Sequence, residues 1–267
     1  MPVRIVQSKQ NGRLKELRRA LDHPGREGHV LAGIEGPNLL REALRAGLRL
    51  ACVFAAQDAE SQIEDLLLPP ETEILLLPAK LLAQALTTET PQSIAALIEP
   101  PEWTWADLIG GHGKTAPLIV VLAGVQDPCN LGTILRSAEA FGAHGGLSLP
   151  GTVSAWNPKA GRASAGSVFR VPLLAASAEG CFARLKKAGV KILTTAAHGA
   201  EAADQIDLTG PVALLIGNEG NGVPEELARK ADGAATIPCP GPVESLNASV
   251  AAGVLLYEAS RQRGSHR

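Results

Sequence analysis

The stretch Ile237-Pro-Cys-Pro-Gly-Pro-Val-Glu-Ser-Leu-Asn-Ala-Ser-Val-Ala-Ala-Gly-Val-Leu-Leu-Tyr-Glu258 decides how this chain is read. An apolar strand end runs into a loop holding Pro238, Pro240, Gly241 and Pro242. Two helix-capping residue types, Ser245 and Asn247, then open a helix crowded with small side chains. Proline lacks a backbone donor and fixes φ, while glycine supplies angles that other residues avoid, so residues 238–242 form no regular element. Stiff residues just ahead of a helix N-terminus build a rigid loop, and helix N-termini present free N–H groups with a partial positive charge. An ordinary strand-to-helix turn has the same composition, so the meaning of this stretch depends on what lies upstream.

At 267 residues the chain is long enough for two domains or for one large α/β domain. An apolar content of 45% with 19% charged residues excludes a disordered or fibrous chain. Aromatics make up only 3%, so the core must be built from Ala, Leu, Val and Ile. No apolar run has the length of a membrane span, and Met1-Pro-Val-Arg-Ile-Val has no signal-peptide core, which predicts a soluble protein. Cys52, Cys129, Cys181 and Cys239 are widely spaced without a C-x-x-C pair, so neither a zinc site nor a disulfide framework is expected, and the cytoplasm is the expected compartment. Cys129 and Cys239 are read as small buried thiols. His23, His29, His112, His144, His198 and His266 form no cluster, so no metal is expected.

The net charge of −2 argues against a generally adhesive nucleic-acid binder but leaves room for a local basic surface. Between Arg4 and Arg26 basic residues, Arg13 and Lys15 among them, outnumber acidic ones. They form either a solvated helix face or a phosphate-contacting surface. Leu14, Leu17 and Leu21 at helical spacing predict an amphipathic helix over 11–22. Strands at 29–34, 50–55, 73–77 and 93–98 alternate with helices at 35–47, near 59–68 and near 79–86, which predicts a small α/β sandwich over residues 1–105. Residues 106–116 are rich in glycine and read as a linker. Gly113-Lys-Thr lacks the first glycine of a phosphate loop and precedes a strand, so it is set aside.

Residues 117–267 read as a second α/β domain. Pro117–Gly124 is a continuous apolar run, as expected of a strand buried on both faces of a parallel sheet. It leads to a helix over 130–142 with Asn130 as the N-cap, Leu131, Ile134, Leu135 and Ala138 as its buried stripe, and Gly142 as its end. Arg136 falls about 140° around that helix from Leu131, so it can project towards a cleft at the sheet's C-terminal edge. Lys159, Arg162 and Ser164 lie on a Gly/Ala-rich background suited to an anionic backbone. A helix (179–188) and a strand (190–195) precede Pro211–Gly222, where a buried strand enters a glycine-rich loop reading G-x-E-x-x-G. Glu219 stands where a dinucleotide fingerprint would need close approach to pyrophosphate, and a carboxylate there repels phosphate. The loop instead suits a cationic or hydroxyl-bearing ligand.

Three segments then fit one pattern. Asn130-x-Gly132-x-x-x-Arg136-x-Ala138-x-x-Phe141-Gly142, Gly217-x-Glu219-x-x-Gly222, and Ile237-Pro238 with Ser245-Leu-Asn247-x-Ser249 resemble, in order and spacing, the three motifs of the SpoU/TrmH family of RNA ribose 2′-O-methyltransferases, within the SPOUT superfamily. The N-terminal third is similar to the ribosomal-protein-L30e-type substrate-binding domain of many members. The resemblance implies a C-terminal α/β domain with a deep trefoil knot, an exception to the rule that chains do not thread loops. It also implies a homodimer and S-adenosylmethionine as cofactor. Gly217, Ile237 and Leu246, with Thr195 nearby, match the cofactor-holding positions. Asn130, Arg136, Glu219, Ser245 and Asn247 match the positions used for catalysis and site architecture.

The implied reaction is attack of a ribose 2′-hydroxyl on an activated methyl group, so the substrate is RNA by the nature of the reacting group. Ribosomal RNA is the expected target and transfer RNA the alternative. A non-catalytic RNA-binding protein keeping the fold and a nicotinamide-dependent enzyme are the other readings. The intact motif residues argue against the first and Glu219 against the second. Ala248, Ala251, Ala252 and Gly253 let the last helix approach another backbone, either that of a partner subunit or one within the chain.

Overall fold

A computed structural model describes residues 2–25, 30–110, 115–243 and 245–264. Arg26 of the basic run, the start of the expected strand at His29, the linker residues 111–114 and the tail from 265 lie outside the described residues. In chain order the elements are β1 (Val3–Ile5), α1 (Gly12–Asp22), β2 (Ala32–Glu35), α2 (Pro37–Arg45), β3 (Leu50–Ala56), α3 (Glu60–Glu64), β4 (Ile74–Leu77), α4 (Ala79–Ala83), β5 (Ile94–Ile98), α5 (Trp105–Ile109) and β6 (Leu118–Ala123). They continue as α6 (Pro128–Ala140), β7 (Gly145–Ser148), α7 (Pro158–Ser164), β8 (Leu173–Ala175), α8 (Ala178–Lys187), β9 (Lys191–Thr195), β10 (Glu201–Ala202), β11 (Val212–Gly217), α9 (Glu225–Ala228), β12 (Gly233–Thr236) and α10 (Ala248–Gln262). Among the described residues no helix is long and apolar enough to cross a membrane. Two compact units result, Met1–Glu102 with Ser154–Phe169, and Trp103–Val153 with Arg170–Arg267.

In the first unit a mixed sheet has the order β1-β4-β3-β5-β2, with β5 antiparallel to both of its neighbours. Leu14, Leu17 and Leu21 of α1 pack with Phe54, Leu75 and Leu97 in its core, and the Asn11 side chain caps the helix. α2 begins at Pro37, two residues beyond the expected start, because Gly36 takes a φ of 96° and proline suits the first helical position. β2 is an edge strand, and α7 lies against it although it comes from more than a hundred residues later in the chain. The fit is close, since a Cβ on Gly161 of α7 would come within 3.3 Å of Leu39. Residues 154–169, which the sequence alone places with the second domain, thus complete the first unit.

The second unit is built on a seven-stranded, wholly parallel sheet of order β10-β12-β9-β11-β6-β7-β8. The apolar runs β6 and β11 are adjacent at its centre and buried along their whole length. α6 starts at Pro128 with Asp127 as its cap, not Asn130. The Asp-Pro pair places a capping oxygen and a preset φ just ahead of the helix. Leu131, Ile134, Leu135 and Ala138 are its buried stripe, and Gly142 takes φ 72° just after it.

α10 lies beside α6. Asn130 meets Asn247, a Cβ on Gly253 would stand 3.5 Å from Ser137 Oγ, and Phe141 meets Tyr257 edge-on at 5.7 Å. These pairs occur in the same order along both helices, so the helices run parallel with both N-termini at one end. Of the small residues in α10, Ala252 is buried and Gly253 faces α6, while Ala248 and Ala251 line a cavity. Ala252 and Gly253 serve packing within the chain, and the exposed large apolar side chains of this helix are Val250, Val254 and Tyr257.

Just past α10, the half-buried Arg263 guanidinium donates to the carbonyls of Ala116 (2.6 Å), Gly210 (2.7 Å), Leu208 (2.9 Å) and Pro117 (3.4 Å). Burial lowers its pKa, and the four carbonyls replace its lost water. Arg263→Ala should destabilise the second unit by about 2–3 kcal/mol, a fall of roughly 5–10 °C in Tm. Arg263→Lys should recover less than half, because an ammonium has no fork. An unchanged melting curve for the alanine variant would rule out this clamp.

Candidate active site

Because the second sheet is wholly parallel, the C-terminal ends of β6, β9, β11 and β12 share one edge. Gly217 lies opposite Ala123, and Thr195 opposite Ala235. Open parallel sheets bind ligands at this edge. A cavity of about 430 Å³ opens there, and its walls include Thr195, Gly217, Glu219, Ile237, Ser245 and Leu246. Of the described residues lining it, Glu219 alone carries a charge. The loop after β11 folds back on itself through paired 2.9 Å bonds between the backbones of Asn218 and Gly222. Gly217 is required there, since a Cβ would lie 2.1 Å from the carbonyl carbon of Gly222.

Glu219 joins three elements. Its Oε1 accepts from Asn130 Nδ2 (2.9 Å) and the Asp127 N–H (3.2 Å), and its Oε2 from the Gln126 N–H (3.3 Å). Asn130 Oδ1 in turn accepts from Asn247 Nδ2 (3.1 Å). Asn247 Oδ1 caps α10 by accepting from the N–H groups of Ser249 and Val250 and from Ser249 Oγ. Asn130 and Asn247 are thus fixed in orientation at both ends of their amides. Burial would push the Glu219 carboxyl up, but the hydrogen bonds from Asn130 and the backbone outweigh it and hold the pKa below its ordinary value of 4.5. Glu219 is therefore ionised at neutral pH and acts as a fixed acceptor.

The sign of its pH dependence follows. A depressed carboxylate stabilises the fold fully above its unfolded pKa, and that contribution drains away as pH falls through the lower folded value. The Tm difference between the native chain and Glu219→Gln should stay constant between about pH 6 and 8 and shrink only below about pH 4.5. A difference that changes between pH 6 and 8 would contradict this assignment.

Arg136 is exposed on α6, outside the cavity wall, and has no hydrogen bond or ion pair among the described residues. Ser245 is exposed at the cavity wall. Lys159 and Arg162 are exposed on α7. Ser164 does not join them: it is fully buried, and its hydroxyl donates to Gly161 O and accepts from the Val168 N–H, so it closes the α7 turn and cannot meet RNA. On α1, Lys15 is exposed, whereas Arg13 is paired with Glu16 and Glu73. Cys129 is exposed and Cys239 half-buried on the cavity wall, contrary to their reading as buried thiols. The helix starts at Pro128 and the proline loop at 238–242 leave both near solvent. Cys52 and Cys181 are the buried thiols, and burial pushes each up to about 12.

Asn218 was missed from the sequence. Its Nδ2 donates to Gly124 O (2.9 Å), and its Oδ1 accepts from the N–H groups of Gly220 and Asn221. It ties the β11 loop to the β6 loop. An Asn directly after a glycine, with a second glycine two residues on, is a turn-forming signal that could have marked it.

Residues 117–257 match the SpoU rRNA Methylase family. The chain is 36% identical over 246 residues to an uncharacterised tRNA/rRNA methyltransferase of Mycolicibacterium vanbaalenii, covering 86% of this chain and 76% of that one. It is 31% identical over 252 residues to the 23S rRNA (guanosine(2553)-2′-O)-methyltransferase of Bacillus subtilis, covering 94% and 97%. The fold superposes on the rRNA methyltransferase of Sinorhizobium meliloti bound to S-adenosylmethionine with a TM-score of 0.82 and 31% identity, covering 97% of this chain and 98% of that one.

Proposed function

The chain belongs to the SpoU rRNA methylase family, and we propose the following division of labour within an S-adenosylmethionine-dependent RNA ribose 2′-O-methyltransferase: the second unit carries cofactor and reaction, and the first engages a folded ribosomal RNA. The observation that carries this reading is the Glu219–Asn130–Asn247 network, set beside a cavity whose one described charge is a carboxylate. Such a lining repels polyphosphates and suits a cationic ligand. Its volume lies within the usual range for small-molecule sites. S-adenosylmethionine supplies a methyl group already activated by its sulfonium charge. The backbones of Gly217, Ile237 and Leu246 would hold it, with Thr195 nearby. Ser245 and Asn247 face the ribose, and Arg136 receives the RNA backbone. Of the cations expected to meet RNA, Lys159, Arg162 and Lys15 remain exposed on the first unit, which acts as an L30e-type binding domain.

The proline-rich loop 237–246 would belong to a trefoil-knotted segment, and the enzyme would work in the cytoplasm as a homodimer. The exposed face of α10 carrying Val250, Val254 and Tyr257 supports the dimer. Val254→Glu should give a monomer in light scattering at micromolar concentration. If that variant stays dimeric, another face makes the contact. The reading as a whole is tested by mapping ribose methylations in the ribosomal and transfer RNA of cells with and without the protein. Loss of one site in ribosomal RNA is expected. Loss confined to transfer RNA would reassign the substrate, and no lost site would overturn the activity.

A further inference from the structure

Four residues, Gly124–Asp127, join β6 to α6, and Glu219 is held through two of them. The Gln126 and Asp127 N–H groups both point at its carboxylate, and Gly124 O receives the Asn218 amide. These bonds fix the loop from the β11 side. On its other side stands Thr152, in the turn that follows β7. Thr152 Oγ1 donates to Leu122 O at the end of β6 (2.9 Å) and accepts from the Gly124 N–H (3.1 Å). The neighbouring Val153 N–H donates to Val125 O (2.9 Å). Gly124 takes a φ of 79°, a conformation with little intrinsic preference, so its direction is set by what it bonds to. A hydroxyl that gives one bond and takes another fixes both the carbonyl before this kink and the N–H at it. Thr152 is absent from the cavity wall.

We propose that Thr152 is a positioning residue for methyl transfer: its hydroxyl sets the Gly124–Asp127 loop, and through it the orientation of Glu219 and Asn130. The proposal rests on the methyltransferase reading above. The effect is mainly on rate, because Asn130 lies outside the cavity wall and three of the four residues that would hold the cofactor, Thr195, Ile237 and Leu246, have no hydrogen bond to residues 124–127 among the described residues.

The test compares Thr152→Val, which keeps the shape and removes the hydroxyl, with Thr152→Ser, which keeps the hydroxyl. Methyl transfer from labelled S-adenosylmethionine to total RNA of cells lacking the protein gives kcat and KM, calorimetry gives the cofactor Kd, and amide hydrogen exchange reports on Gln126 and Asp127. Thr152→Val is expected to lower kcat by about tenfold or more, with KM and Kd changed by less than about twofold. The Gln126 and Asp127 amides should exchange faster. Thr152→Ser should restore kcat to within about threefold of the native value. Native turnover in Thr152→Val, a serine variant as slow as the valine variant, or unchanged exchange at both amides would each overturn the proposal. The exchange comparison uses no RNA. A native enzyme that methylates nothing in that RNA therefore refutes the functional reading, while exchange still decides whether Thr152 sets the loop.

Discussion

Replacing Arg136 with alanine is expected to lower methyl transfer to RNA by about a hundred- to a thousandfold, while S-adenosylmethionine binds with less than about threefold change. The split follows from position. Arg136 rides on α6, the helix whose Asn130 is locked to Glu219 and Asn247, so its base is as fixed as the network itself. Its side chain is exposed, lies outside the cavity wall and is bound by no acid among the described residues, which leaves its charge for substrate. A guanidinium effectively never deprotonates in a protein. Under the proposed reading Arg136 would offer a positive fork to an RNA phosphate, and the 2′-hydroxyl proton would leave to another acceptor. Any rise of rate with pH through the neutral range belongs to that acceptor. Arg136→Lys keeps the charge and loses the fork, so it should recover RNA affinity more than turnover. Near-native turnover in Arg136→Ala, with cofactor bound, would remove this residue from the reaction.

How far the fold was legible in the sequence depended on whether each signal was local. The apolar runs 118–123 and 212–217 are buried from both faces, and continuous hydrophobicity is the mark of such strands. β7, by contrast, reads Gly-Gly-Leu-Ser, and glycine weakens any strand signal. It forms because Gly145 and Gly146 admit Pro172, just ahead of β8, and Leu173, its first residue, at distances a side chain would block. α7 was read with the wrong unit because its partner, β2, lies more than a hundred residues away. Ser164 was misread for the opposite reason: its hydroxyl is consumed by its own turn, which composition alone does not reveal. The candidate site was legible through its motif spacing. Asn130, Glu219 and Asn247 are distant in sequence, and they meet because two follow the ends of adjacent parallel strands and the third caps the helix packed alongside. The same logic hid Asn218 and Thr152, which bond to backbone and leave no pairing of residue types to recognise.

Gly217→Ala should abolish detectable S-adenosylmethionine binding, and Gly220→Ala, three residues further along the same loop, should leave it nearly intact. Gly217 ends the central strand β11 where the loop 218–222 doubles back, and a Cβ there would meet Gly222 C at 2.1 Å, Val223 N at 2.2 Å and Gly222 O at 2.4 Å. All three are backbone atoms, so no side chain can rotate away and the loop itself must move. Overpacking of this kind costs about 1–3 kcal/mol and occasionally more. Moving the loop also displaces Asn218 and Glu219, the two side chains that tie it to residues 124–130. If the loop gives way and the fold survives, a strain of about 3 kcal/mol taken from binding is roughly a hundredfold in Kd. If the strand gives way, Tm falls with it. A Cβ on Gly220 meets only Asn218 Oδ1 at 3.5 Å, an ordinary contact, so that variant separates a blocked site from general disturbance of the loop. Calorimetric titration of both variants, with melting curves alongside, decides the matter. Native affinity in Gly217→Ala, or equal losses in the two, would mean that the close approach of this loop does not shape the cofactor site.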